Sequence, residues 1–290
     1  MTAEPVLDTS MPPRGIPSST SSVVPRRGMF EVYGTIGRRR QAVLGVLGAG
    51  AFLLCWQLAS TLGLASPKLL PTPVQVGSAL VDLFENGFAD DVTVSIYRIM
   101  LSFVIATAIA YPLGLLIGTL AAVSAFFSPV VSAFRYLPAP AFVPLLLMWL
   151  GPGDEQKIAL LFLGVIWFLV TIIADHVRSV PRELVESART LGANTPLVFL
   201  RIIAPASLPR VWDGLRQMLA VSWTYLVIAE IVAATDGIGA MMMRAQRFVR
   251  VDDVMAGILT IGILGVAFDL LFRFAGNILF PYERFERERN

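Results

Sequence analysis

The chain has 290 residues, 56% of them apolar and only 15% charged, against a charged share of roughly 25% in ordinary soluble domains. A formal net charge of +2 gives no basis for nucleic-acid binding, and a single histidine with a single cysteine excludes an intrachain disulfide and a His/Cys metal cluster. What remains is an all-α polytopic membrane protein, in which apolar stretches of about 20 residues cross a hydrocarbon core about 30 Å thick.

Residues 1–40 are rich in Ser, Thr, Pro and Gly, with Pro12-Pro13 and Pro25, and read as a disordered cytoplasmic N-terminal tail. Arg38-Arg39-Arg40 and the apolar run 42–62 imitate a signal peptide. That run exceeds the roughly 7–15 residues of a signal core, so it reads as an uncleaved first span that holds Cys55. After a Pro-Thr-Pro turn, residues 71–85 carry Val74, Val76, Leu80, Val81 and Leu83 among polar residues, which predicts a short amphipathic helix on the outer face. Five further spans follow at 97–123, 129–150, 157–175, 211–234 and 254–278, making six transmembrane helices in a domain over 41–280, with a cytoplasmic tail at 281–290. Pro112 interrupts the second span, and Pro138, Pro140 and Pro144 the third. Such breaks persist in a membrane only where neighbouring helices, side chains or water satisfy the freed carbonyls.

Orientation follows from the arginines. Arg26, Arg27, Arg38 to Arg40, then Arg178, Arg182, Arg189, Arg201 and Arg210, then Arg284, Arg287 and Arg289 fall on one side, whereas the opposite side is poorer and carries Lys68 and Lys157 among acidic residues. Both termini are therefore expected in the cytoplasm. Arg244, Arg247 and Arg250 run against this pattern before the last span. With Met241 to Met243 they form a basic outer segment, read either as a meeting place for a partner or anion or as a plain loop helix.

No Gly-x4-Gly-Lys-Ser/Thr phosphate loop occurs, and the two lysines, Lys68 and Lys157, follow no such glycine. The chain itself therefore holds no ATP site of that type. The inner loop 180–210 is too polar for a span and too patterned for slack: Glu183, Glu186 and Arg189 recur at helical spacing, Gly192 suits a left-handed helix stop, and a second short helix is expected over 195–203, closed by Pro205 and Pro209. The physical readings of this helix-turn-helix are a docking element for a soluble partner or a surface helix bound to headgroups.

Glu186, Ser187 and Ala188, three residues, Gly192, nine residues, Ile202, one residue, Ala204 and Pro205 resemble the E-A-A, G, I, L-P signature of binding-protein-dependent ABC importer permeases, with Ser187 and Ala204 as departures. Leu70 to Pro73, Arg135 to Pro138, Trp149 to Gly151 and Gly237 to Gly239 resemble the nitrate, sulfonate, taurine and bicarbonate branch. The resemblance implies a MetI-like permease of six spans, present as a homodimer or with a close paralogue. It also implies cytoplasmic ABC ATPase subunits that bind ATP and Mg and seat on Glu186, Ser187, Ala188, Gly192, Ile202 and Pro205, an extracytoplasmic solute-binding protein, and residence in a bacterial inner membrane among its lipids. A small anion such as nitrate, a sulfonate or bicarbonate is the implied cargo, with a non-anionic solute such as a pyrimidine precursor as the alternative. A secondary carrier would want two related halves and midplane acids, and neither is visible.

Ionisable groups at membrane depth face a cavity or a partner. Arg135, about 9 Å into the third span from the inner side, is the cationic candidate on an anion pathway or a snorkelling side chain. Glu230, near the outer end of the fifth span, is a pathway candidate or the structural partner of Arg98. Trp149, with Trp167, Trp212 and Trp223, suits interfacial anchoring or cavity lining. Asp269 and Arg273 are a turn apart, and Gly114 with Gly118 allows another helix to approach closely.

Overall fold

A computed structural model describes residues 37–62, 66, 69–232 and 235–281. Most of the tail expected over 1–40, and the C-terminal tail from residue 282, lie outside these. Helices α1 (Arg38–Thr61), α2 (Pro73–Glu85), α3 (Phe88–Thr119), α4 (Ala121–Arg135), α5 (Val143–Leu150), α6 (Asp154–Arg178), α7 (Arg182–Thr190), α8 (Thr195–Val198), α9 (Ala204–Ile231), α10 (Ile238–Arg247) and α11 (Val251–Leu279) carry the described chain, with a 3-10 turn at Ala139–Phe142 and a π turn at Phe199–Ile203. The chain divides into two units, Met1–Leu54 and Cys55–Asn290. In the first, the opening part of α1 presents apolar side chains such as Val46, Leu47 and Phe52 outward.

Everything else belongs to the second unit. The end of α1 is tied to the turn that follows it: Trp56 Nε1 donates to the Pro71 carbonyl at 3.0 Å and Ser60 Oγ to that of Leu70 at 2.8 Å. That turn starts α2 by a capping box, in which Thr72 Oγ1 accepts from Gln75 N–H at 3.2 Å and Gln75 Oε1 accepts from Thr72 N–H at 2.8 Å, with Pro73 preset for a first helical position. The expected amphipathic helix thus forms, and its Val76 and Ala79 bury against Ala256 of α11.

Gly87, at φ +89°, turns the chain directly into α3. This helix begins at Phe88, nine residues before the expected start at 97, because Asp90 and Asp91 suit the positive end of a helix. It passes through Pro112 and packs along α6, whose Leu160, Leu161, Val165, Leu169 and Val170 have no solvent exposure. A Cβ on Gly114 would lie 2.8 Å from Ile173 Cβ, and one on Gly118 would lie 2.6 Å from Val177 Cβ. The small-xxx-small pair therefore sets a close α3–α6 approach within the chain, where packing rather than water exclusion holds helices together.

Among the described residues, four helices, Arg39–Thr61, α3, α6 and α11, are long and apolar enough to cross a bilayer, or up to five spans if α4 and Ala139–Leu150, bent by 84°, count as one. The bend falls where Pro138 is extended and Pro140 and Pro144 remove donors. The remaining long helix, α9, has 28 residues but carries Arg210, Asp213, Arg216 and Glu230. The six expected spans thus meet four clear candidates, a bent pair and a long polar-bearing helix. One expectation is overturned. Pro205 and Pro209 do not close the loop helix: α8, the π turn and α9 run as one helical path from residue 195 to 231. Pro205 sits in the first turn of α9, and the wide turn before it, closed by Ala204 N–H on the Phe199 carbonyl, lets the path continue where prolines withhold donors.

Gly114→Val puts side-chain atoms where Ile173 already stands and is expected to lower folded stability by about 1–3 kcal/mol. Thermal unfolding in detergent reads this as a lowered midpoint, whereas Gly77→Ala, which meets nothing within 4 Å, does not lower it.

Candidate functional site

The signature residues lie on a compact turn of helices. Helix α7 is two-faced: Val185 and Ala188, one turn apart, pack into the main core, while Arg182, Glu183, Glu186, Ser187 and Arg189 are exposed. Its end is a Schellman stop. Gly192, at φ +86°, donates to the Arg189 carbonyl at 2.9 Å, and Ala193 N–H reaches back to the Ala188 carbonyl at 3.0 Å. Asn194 then caps α8, its Oδ1 accepting from Leu197 N–H at 3.1 Å. Glu186 and Ser187 lie on the exposed tip beside Leu191, which is 88% exposed, with Leu184, Leu197 and Leu200 also outward. Ile202 falls within the π turn, half-buried, and Pro205 is exposed in the first turn of α9. The loop is thus stopped at Gly192 and capped at Asn194, with an apolar and charged tip facing away from its own core.

The other end of the helices holds a charge cluster. Asp91, Ser95 and Arg98 stand at positions i, i+4 and i+7 of α3, on one face. Arg98 is 1% exposed. Its Nε donates to Asp154 Oδ1 at 2.8 Å, its Nη1 to Glu230 Oε1 at 2.8 Å and to the Asp236 carbonyl at 3.0 Å, and its Nη2 to Asp236 Oδ1. Glu230 has no exposure, and both its oxygens are taken: Oε1 also accepts from Ser95 Oγ at 2.8 Å, and Oε2 from Gly239 N–H at 2.8 Å. Asp91 Oδ1 accepts from Gly237 N–H at 2.6 Å, and Ser95 Oγ accepts from Ile238 N–H at 3.0 Å. The free N–H groups at the start of α10 are thus met by side chains of α3 and α9, the arrangement its positive end favours. No side chain fits at Gly237, whose φ is +99° and whose Cβ would fall 2.7 Å from Arg98 Nη1. Nearby, buried Lys157 donates to the Pro152 and Gly153 carbonyls at 3.0 and 3.1 Å. Asp236, in the loop before α10, has its carboxyl held below the usual range by the hydrogen bond from Arg98. What it contributes to folding is therefore present at neutral pH and is lost as pH falls through that lowered value.

The other polar candidates are not brought together with these. Arg135 ends α4 at the bend, its guanidinium 5.7 Å over the Tyr136 ring, with no ion pair among the described residues. Trp149 is exposed near the end of α5. The pair Arg273–Asp269, 2.8 Å, is joined by Arg216 of α9 at 3.5 Å from Asp269, so it links α9 to α11. Sequence reasoning paired Glu230 with Arg98 but missed Asp91, Ser95, Asp154 and Asp236. Polar residues at i, i+4 and i+7 in an apolar helix were the available signal for the first two.

Removing Glu230 leaves a buried guanidinium short of a counter-charge. Glu230→Ala is therefore expected to cost about 3–5 kcal/mol, and Asp154→Asn, at a half-exposed carboxylate, about 1 kcal/mol or less. Thermal unfolding in detergent separates the two; equal small losses would show that the cluster holds little together.

The family model described as "Binding-protein-dependent transport system inner membrane component" matches residues 82–284. The taurine transport system permease protein of Escherichia coli (strain K12) is 33% identical over 249 residues, 84% of this chain and 90% of that protein. The nitrate import permease protein of a Synechocystis species is 26% identical over 280 residues, 92% of this chain and 99% of that protein. Among solved structures, an inward-facing form of the MetNI methionine ABC transporter has a TM-score of 0.55 at 19% identity, covering 66% of this chain and 94% of that one, a likeness of fold.

Proposed function

Because the chain belongs to the family of binding-protein-dependent transport system inner membrane components, the permease subunits of ABC importers, we propose that it moves a small oxyanion, of the nitrate, sulfonate or taurine kind, across a bacterial inner membrane. As a permease it performs no ATP hydrolysis; ATP and Mg belong to cytoplasmic ATPase subunits that seat on its inner loop. The permease domain occupies residues 41–280 with six spans, the bent pair α4 and α5 serving as the third and α9 as the fifth. Both tails, 1–40 and 281–290, lie in the cytoplasm, two copies work together, and an extracytoplasmic solute-binding protein delivers the anion.

The observation that carries the reading is the geometry of loop 180–210. Its Schellman stop at Gly192 and cap at Asn194 fix the tip that bears Glu186 and Ser187, and Ala188 anchors it beneath. A push on this tip passes into the continuous path from α8 to α9, and from Arg216 to Asp269 of α11. The outer ends, clamped through Arg98, yield less. Closure of the ATPase pair therefore displaces inner ends relative to outer ends, which is the rigid-body switch that alternating access requires. Relatives that carry taurine and nitrate support an anionic cargo. Arg135, at the bend after α4 and without a carboxylate partner among the described residues, is a cation available to it within the spans. Glu230, saturated by Arg98, Ser95 and Gly239, serves as a structural clamp, and Trp149 as an exposed anchor at the membrane or cavity surface.

Glu186→Lys combined with Gly192→Pro is expected to leave membrane insertion normal and abolish ATP-dependent uptake in reconstituted vesicles, because it reverses the charge of the tip and destroys its stop. Persisting uptake would remove the docking role. Arg135→Ala is expected to reduce anion uptake by roughly tenfold, the loss of one charge-assisted contact, with complex assembly unchanged; a parallel loss of assembly would make Arg135 structural.

A further inference from the structure

The docking loop borders a second feature, to which only Glu186 of the docking residues contributes. A cleft of about 580 Å³ opens between the inner ends of α3 and α6 and the loop helices α7 and α8. Val177, Val185 and Phe199 give it apolar wall, while Arg178, Arg182 and Arg189 line it against the single carboxylate of Glu186. Arg178 is engaged, donating to Asp175 Oδ1 at 3.0 Å and to Ser124 Oγ at 3.1 Å. Arg182 and Arg189 have no carboxylate within ion-pair distance among the described residues, although Glu186 stands one helical turn from each.

A guanidinium without a carboxylate presents a planar fork matched to phosphate oxygens. Basic pockets between membrane helices on the cytoplasmic side accept anionic lipid headgroups. The apolar wall decides between sources: a dissolved phosphate would leave the half-buried Val185 and Phe199 wetted, whereas the glycerol and first methylenes of a lipid cover them. The volume lies within the roughly 300–1,000 Å³ of small-molecule sites, enough for a headgroup and its glycerol.

We propose that this cleft binds the phosphate headgroup of an anionic inner-leaflet phospholipid such as phosphatidylglycerol, wedged behind the docking loop. The inference rests on the proposed function only for placing this face at the cytoplasmic surface. Because the arginines on α7 and the walls on α3 and α6 would share one ligand, the lipid stiffens the joint through which the tip pushes on the helices.

Native mass spectrometry of the full-length chain, purified with the partners it retains, tests this with defined lipids. The expected result is retention of phosphatidylglycerol over phosphatidylcholine, reduced at least about fivefold by Arg182→Gln with Arg189→Gln, and no displacement by excess inorganic phosphate. Equal retention in the double variant, or equal retention of the two lipids, overturns the proposal; displacement by phosphate reassigns the cleft to a free anion and overturns it too. Should the double variant fail to assemble, Arg182→Gln alone carries the same comparison. Recovery of the chain without an ATPase would count against the proposed function, while the lipid comparison would still read the cleft.

Discussion

A guanidinium buried among membrane helices has to be met by acceptors, because neither water nor lipid can replace them. Arg98 is met by Glu230 of α9, by Asp154 at the start of α6 and by Asp236 in the loop before α10. This one side chain therefore collects three elements around α3, and Glu230 extends the hold to the Gly239 N–H in the first turn of α10. The glycines at 237 and 239 admit no side chain because the carboxylate and the guanidinium occupy that space. Length and apolarity allow helices to span; this cluster settles how they meet at one end.

The opposite end is built on a different principle. There the α3–α6 seam closes through Gly114 and Gly118, α7 hangs from Val185 and Ala188, and a π turn carries the chain into α9 without a break. A packed seam and one helical path transmit displacement, whereas a slack loop would absorb it. One end fixed by desolvated charge and the other joined by rigid helical connections suit the one-sided push proposed above. The polar link Arg216–Asp269–Arg273 couples α9 to α11.

Much of this was legible in the sequence where a residue type has a single conformational meaning. Gly192 stops α7 because a left-handed residue was needed there, and the Pro-Thr-Pro turn starts α2, where the structure adds a capping box with Gln75. Helices α1, α3, α6 and α11 were legible from apolar length, whereas the third expected span is a bent pair and α9 carries four charged residues. Partners at the edges of elements were not legible: Asp154 opens α6 and Asp236 precedes α10, both distant in sequence from Arg98 and outside the apolar runs that mark the spans. The prolines at 205 and 209 misled, because a proline reads as a stop unless a widened turn precedes it. The 84° bend after α4 was foreseeable as a break at Pro138 but not as an angle.

The most direct test of the account is a gentle detergent purification of the tagged chain from its native membrane, with every co-purifying polypeptide identified and counted against it. The account predicts a P-loop ATPase near one copy per permease. Recovery of the chain alone, under conditions that preserve a known ABC complex, would contradict it.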